Sequence, residues 1–306
     1  MNGRLVVSIC ICTYNRERLL RQTLSRLERL VIPDGIRLEV VIVDNNSSDG
    51  TARVIQQASN DLPVSTVKEL KPGIASARNA AVALAQGELL LWIDDDVLVE
   101  PDWVERYVCA ARTHPEIAFF GGPVRPHFEG RPPAWVLTLL PHVAQAYALR
   151  DFPDGRVHLD ADHLPYGANF GTRRAVHERV SFNPALGRVG EDGGCLQDES
   201  TFFEAAMNLG YTGRWIPNCL VQHVIPAERQ TIRYLRQYYV LAGATPLKRP
   251  RESTMLLGRP RWLWREWMQN ELAFYLLRYT AAPTTWFGHL KRASYARGAL
   301  FDRPRR

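Results

Sequence analysis

The chain has 306 residues, 46% of them apolar, and a formal net charge of +6. That length suits one large domain or two small ones with a sizeable core. No apolar run approaches the ~18 residues of a membrane-crossing helix, and the short lead before the first apolar run predicts no signal peptide.

Residues 5–12 form an apolar run of strand length with Cys10 and Cys12 on one face. From Arg16 the spacing becomes helical, with Leu20, Leu24, Leu27 and Val31 in register and Asn15 placed as the N-cap. Residues 38–43 predict a second strand, and Asp49 is placed to cap a helix over 51–58. Residues 64–67 predict a third strand. An Ala-rich helix follows Gly73 and is stopped near Gly87. A fourth strand ends at Asp94, and Pro101 is expected to open a helix reaching about residue 113. This alternation implies α/β architecture, a mainly parallel Rossmann-like sheet with flanking helices.

The second half is less regular. Residues 123–133 read as a Pro-, Arg- and Gly-bearing loop, and 135–140 as a short apolar segment. Residues 164–171 read as a strand with close backbone approaches at its glycines. A helix is expected over 200–209, a strand carrying His223 over 218–224, and a helix over 232–241. Two amphipathic helices follow, near 262–279 and 286–300. The five cysteines (Cys10, Cys12, Cys109, Cys195, Cys219) are odd in number and scattered. Packing in a reducing cytoplasm fits them better than disulfides or zinc.

The most informative stretch is the run Leu89-Leu90-Leu91-Trp92-Ile93 ending in Asp94-Asp95-Asp96. Three adjacent carboxylates repel one another and resist burial, so they fit a strand end that receives a divalent cation. Mg²⁺ and Mn²⁺ prefer such oxygen ligands, usually with substrate phosphates completing the shell. A solvated acidic turn is the ordinary alternative. In parallel sheets ligands sit at the carboxyl ends of the strands. Polar clusters stand at three such ends: Thr13-Tyr14-Asn15-Arg16, residues 44–50, and the carboxylate triplet. No phosphate loop or dinucleotide fingerprint follows a strand, which argues against P-loop enzymes and most Rossmann dehydrogenases.

Residues 8–16, Val41 to Thr51, Gly73 to Asn79, Trp92 to Asp96 and Gly210 to His223 together resemble the family 2 glycosyltransferases of GT-A fold. The motifs stand in that family's order and spacing, over roughly residues 5–243. The resemblance implies inverting transfer of a sugar from a nucleotide-diphosphate donor to a hydroxyl of a glycan or glycolipid acceptor. It implies that Thr13, Tyr14, Asn15, Arg16, Asp44, Arg78, Asn79, Asp94 and Asp95 line the nucleotide-sugar site. Asp94 and Asp96 match the D-x-D motif, and with His223 they would hold Mn²⁺ or Mg²⁺. The general base is expected at Asp198 or Glu199, with Asp192 as an outside choice. Helix N-terminal acids favoured by the dipole are the plain alternative at 198 and 199. Trp135, Tyr166 and Asn169 are candidates for the acceptor site, against ordinary packing.

On this reading residues 1–245 form the catalytic domain, with a nucleotide-sugar half to about 122 and an acceptor half after it. Residues 246–306 form a basic, Trp-rich helical extension. Its Trp262, Trp264 and Trp267 with Arg259, Arg261 and Arg265 fit either peripheral contact with an anionic membrane or packing on the catalytic domain. The expected location is cytoplasmic, at the inner face of the membrane if that contact forms. No nucleic-acid partner is expected. Two other functions compete. A nucleotidyltransferase would need a Gly-rich basic loop after the first strand, where Thr13-Tyr14-Asn15-Arg16 stands instead. A non-catalytic nucleotide-sugar binder would have no use for a carboxylate at 198 or 199.

Overall fold

A computed structural model describes residues 4–152, 155–186, 198–244 and 254–301, with Asp198 described by its backbone alone. The first elements alternate: β1 (Leu5–Thr13), α1 (Glu17–Leu27), β2 (Ile36–Asp44), α2 (Thr51–Ala58), β3 (Val64–Lys68), α3 (Ile74–Leu84) and β4 (Leu89–Asp94). Then come β5 (Val97–Val99), α4 (Trp103–Thr113), β6 (Phe119–Gly121), β7 (Val124–Phe128) and α5 (Ala134–Val143). β8 (Phe170–Arg173), α6 (Arg174–His177), α7 (Asp198–Asn208), β9 (Gly213–Trp215) and β10 (Val221–Ile225) follow. The last elements are α8 (Ile232–Ala244), β11 (Met255–Leu256), β12 (Arg259–Pro260), α9 (Arg261–Leu277) and α10 (Pro283–Phe301).

The chain divides into two compact units. One holds Met1–His127 and Ala148–Val224, the other Phe128–Tyr147 and Ile225–Arg306. The first unit is built on a seven-stranded sheet of order β3-β2-β1-β4-β8-β6-β9. β1 runs parallel to β2 and β4, and β8 runs antiparallel to β4 and β6. Period-two alternation gives each face its own core. Val7, Ile9 and Ile11 meet Leu20, Leu24, Val54 and Val104 on one side. Cys10, Val41, Leu90 and Trp92 meet Ala75, Ala81, Phe202 and Phe203 on the other.

The register positions the site. Thr13 pairs with Asp44 and Cys12 with Asp94, so β1, β2 and β4 end at one rim. A small second sheet, β5-β10-β7, completes that rim. β10 pairs antiparallel with β5, and His223 stands opposite Val97, next to Asp96.

Several sequence expectations are corrected. The stretch 123–133 contains β7, paired with β10 at the edge of the small sheet, where Pro126 is tolerated because an edge strand is paired in the sheet on one side alone. Residues 135–140 lie in a helix, α5, that carries Pro141. Of the run 164–171, only its end enters β8. Pro101 precedes α4 instead of opening it. Asn15 is not the N-cap of α1; Arg16 is, and Asn15 takes a left-handed φ of 51°.

The second unit is mainly helical. α10 packs along α8 and α9, with Leu263, Ala296 and Leu300 buried together. Trp286 stands edge-on to Trp135 and near Phe274. Among the described residues no helix is long and apolar enough to cross a membrane.

Candidate active site

Two loops interlock at the ends of β1 and β2. Asp44 accepts a hydrogen bond from the Ser47 amide at 2.8 Å, which shapes the turn after β2. The Asn15 side chain accepts from the Ser48 amide at 2.8 Å, and the Asn15 amide donates to Ser47 Oγ at 2.9 Å. Asp49 receives the amides of Glu17 and Thr51, so one carboxylate caps the starts of both α1 and α2. Burial would raise Asp49, but the bonds from Thr51 and Glu17 outweigh it and hold the carboxyl below its ordinary range. Asn45 donates to the carbonyls of Glu69 and Lys71 and accepts from the Gly73 amide, fixing the approach to α3. The polar cluster 44–50 is legible in the sequence as a strand-end cluster, but the individual bonds of Asn45 and Asp49 follow only from the alignment of β1 and β2. Thr13 is buried and Tyr14 exposed at this rim.

Arg78, on α3, is 3% exposed and sits between two carboxylates. Its Nη2 is 2.8 Å from Glu199 Oε1 and 4.0 Å from Asp94 Oδ1. The rings of Phe170 and Phe182 lie 6.0 and 5.4 Å from the guanidinium, so a cation–π environment replaces water around it. Gly167 borders this pair closely enough that a methyl group there would collide with both Glu199 and Arg78. Sequence reading flagged close backbone approaches in this run but did not single out Gly167. Tyr166, its neighbour, is half-buried with Arg150 over its ring.

Asp96 and His223 form a buried pair, Oδ1 to Nε2 at 3.0 Å. Burial raises the Asp94 carboxyl, Arg78 pulls it down, and Asp96 with Glu199 push it up again, to about 6. Burial and Asp96 push Asp95 up to about 7, against the opposing pull of Arg16 and of the Thr13 hydroxyl. A strand end that crowds three carboxylates until two resist ionising is one that a divalent cation would relieve. The donor set of carboxylate oxygens and an imidazole suits Mn²⁺ or Mg²⁺. Among the described residues no three His, Cys, Asp or Glu side chains close a ready-made metal cage. A cation here would therefore complete its shell with diphosphate and water.

Other expected site residues have their polar groups or rings engaged by neighbouring side chains and backbone. Asn79 commits its amide to both backbone groups of Phe182, at 2.8 and 3.0 Å, and acts as a clamp. Asn169 is fully buried and has all four hydrogen-bonding positions filled, by Trp103, Tyr107 and the carbonyls of Pro123 and Cys219. That leaves it nothing to offer an acceptor. Trp135 belongs to the second unit and packs on Trp286. Asp192 and the Asp198 side chain lie outside the described residues.

Residues 8–181 match the family model described as Glycosyl transferase family 2. The succinoglycan biosynthesis protein ExoM of Rhizobium meliloti is 26% identical over 249 residues, 80% of this chain and 75% of that protein. The glucosyl-dolichyl phosphate glucuronosyltransferase of Haloferax volcanii is 27% identical over 196 residues, 60% of this chain and 58% of that one. The chain thus spans less than two thirds of the second relative. The mannosyltransferase PcManGT of Pyrobaculum calidifontis, solved with GDP-Man and Mn²⁺, superposes with a TM-score of 0.57 at 20% identity. That match covers 97% of this chain and 87% of that one. The likeness establishes the fold as the GT-A glycosyltransferase type with C-terminal helices.

Proposed function

Because the chain belongs to glycosyl transferase family 2, we propose that this glycosyltransferase moves a sugar from a nucleotide-diphosphate donor to a hydroxyl of a polysaccharide or glycolipid, with inversion. The observation that carries the reading is the Arg78 cluster: one buried guanidinium ties Glu199 to Asp94, beside the Asp96–His223 pair. A base and a diphosphate-binding edge thus share one site. The donor complex of the mannosyltransferase and the polysaccharide role in ExoM's name favour the same class of substrates.

Thr13, Tyr14, Asn15, Arg16 and Asp44, at the ends of β1 and β2, hold the nucleotide. A divalent cation held by Asp94, Asp96 and His223 would neutralise charge developing on the departing diphosphate. Glu199 takes the acceptor proton as the acceptor oxygen bonds to the anomeric carbon. The carbon–oxygen bond to diphosphate breaks, and its electron pair leaves on phosphate. Attack opposite the leaving group inverts the anomeric centre. Arg78 fixes the Glu199 carboxyl at one oxygen and so orients it.

The test is a thermal-shift panel of UDP-, GDP-, CMP- and TDP-linked sugars with and without Mn²⁺. A ligand that binds the folded chain raises its apparent stability by mass action. One nucleotide class is expected to stabilise the protein only when Mn²⁺ is present, and Asp96→Ala to lose that shift. Stabilisation that ignores Mn²⁺ and survives Asp96→Ala would sink the metal assignment. Absence of any shift would remove the donor assignment.

A further inference from the structure

The helix α9 has two apolar faces, and one of them is largely exposed among the described residues. Leu263 and Phe274 are buried, and Leu263 packs with Ala296 and Leu300 of α10. Trp264 and Trp267 also turn inward, with ring centres 5.5 and 5.3 Å from Phe301. On the opposite side Met268, Leu272, Tyr275 and Leu276 form an exposed stripe within about 100° of arc, and Tyr279 continues it just past the helix end. Leu276 is 66% exposed and Tyr279 79%. A contiguous apolar stripe of this kind marks an interaction surface.

The hairpin of β11 and β12 adds an independent observation. Its turn residues Leu257 and Gly258 both take positive φ, 51° and 74°. A leucine in that conformation is strained, and it stands 81% exposed at the tip. The hairpin is fastened to the first turn of α9: the Arg261 amide donates to the Thr254 carbonyl, and Trp264 Nε1 to the Leu256 carbonyl at 3.0 Å.

Charge decides the occupant. Residues 128–147 and 225–306 carry seventeen Lys or Arg against six Asp or Glu, whereas the remainder of the chain is net acidic. Arg261 and Arg265 are exposed on the same side of α9 as the stripe. Two copies meeting through this face would bring like charges together. An anionic bilayer offers hydrocarbon for the stripe, an interfacial zone for tyrosines and phosphates for the arginines.

We propose that the outer face of α9, with the Leu257 tip, lies in the surface of an anionic lipid bilayer. This surface is not the Trp264 and Trp267 side that the sequence pattern pointed to. The proposal goes beyond the donor-site reading, and its readout involves no transfer step.

The test is flotation of the full chain with vesicles of phosphatidylcholine alone or mixed with phosphatidylglycerol. The chain is expected to float with the mixed vesicles and to release as salt is raised. Leu272→Glu combined with Leu276→Glu should weaken that binding at least about tenfold with the melting temperature unchanged. Leu257→Asn, which relaxes the turn, should also weaken it while leaving the chain folded. Flotation with neither vesicle, equal flotation with both, or unchanged binding of these variants would overturn the proposal. So would a concentration-dependent dimer by light scattering that the Leu272→Glu/Leu276→Glu variant abolishes, which would assign the face to a second copy.

Discussion

At the residue scale the site turns on a cation shared between carboxylates. Glu199→Gln keeps the shape and the bond to Arg78 but cannot take a proton. Transfer is expected to fall about 10²–10⁴-fold with donor affinity held, as read by kcat and by calorimetric titration of the donor. Gly167→Ala would force a methyl against both partners of the pair. It should depress kcat and donor affinity together, whereas unchanged kinetics would mean that the Arg78–Glu199 contact has no part in transfer. His177 gives a second, purely physical prediction. Trp92 Nε1 donates to Thr172 Oγ1, and Thr172 Oγ1 in turn shares a hydrogen bond with His177 Nε2 at 2.7 Å. Burial, helped by Arg174, pulls its pKa down to about 3 from 6.5. Below pH 6.5 the unfolded chain binds a proton that the native chain refuses. Its contribution is therefore fully present at neutral pH and is lost, at up to about 1.4 kcal/mol per pH unit, as pH falls toward 3. His177→Phe should lose less stability than the parent between pH 7 and pH 5 in urea titrations.

At the element scale, what the sequence reveals follows from where the free energy is local. β1 to β4 and α1 to α3 are legible because each is a periodic run closed by its own punctuation, such as Gly73 before α3 and Gly87 after it. β5 is three residues long, and β7 carries Pro126, so neither has a signal of its own; both exist through pairing with β10. That pairing is what sets His223 beside Asp96 across more than a hundred residues. The rim residues Thr13, Asp44 and Asp94 are legible as strand ends. Asn79 and Asn169 are not legible in the same way, because a polar side chain near a motif looks the same whether it faces a ligand or fills a buried network. Only the positions of Phe182, Trp103 and Tyr107 distinguish the two. The helical unit shows the same dependence on neighbours. An added Cβ at Gly298 would meet the Val240 carbonyl of α8, and one at Gly243 would meet the Tyr295 backbone of α10. The two helices touch backbone to backbone at these glycines. Gly298→Leu should push them apart and cost about 1–3 kcal/mol by chemical denaturation, and a neutral result would mean the crossing is loosely packed.

At the scale of the whole molecule, the residues assigned to the donor and to the base all fall in one unit, within Met1–His127 and Ala148–Val224. That unit has a core on each face of its sheet. The other unit has its own buried cluster, around Leu263, Ala296 and Leu300, and an aromatic group that includes Trp135, Phe274 and Trp286. Two units with separate cores need not unfold together, so two-state behaviour is not the expectation. A donor that binds only the native sheet unit stabilises that unit by mass action and leaves the helical unit nearly where it was. Scanning calorimetry is therefore expected to resolve two transitions. Nucleotide-sugar with Mn²⁺ should raise one of them, and Gly298→Leu should lower the other. A single transition that ligand and substitution move as a whole would instead mean that the two cores share one cooperative unit. A change at the α8–α10 crossing would then be felt at the donor site.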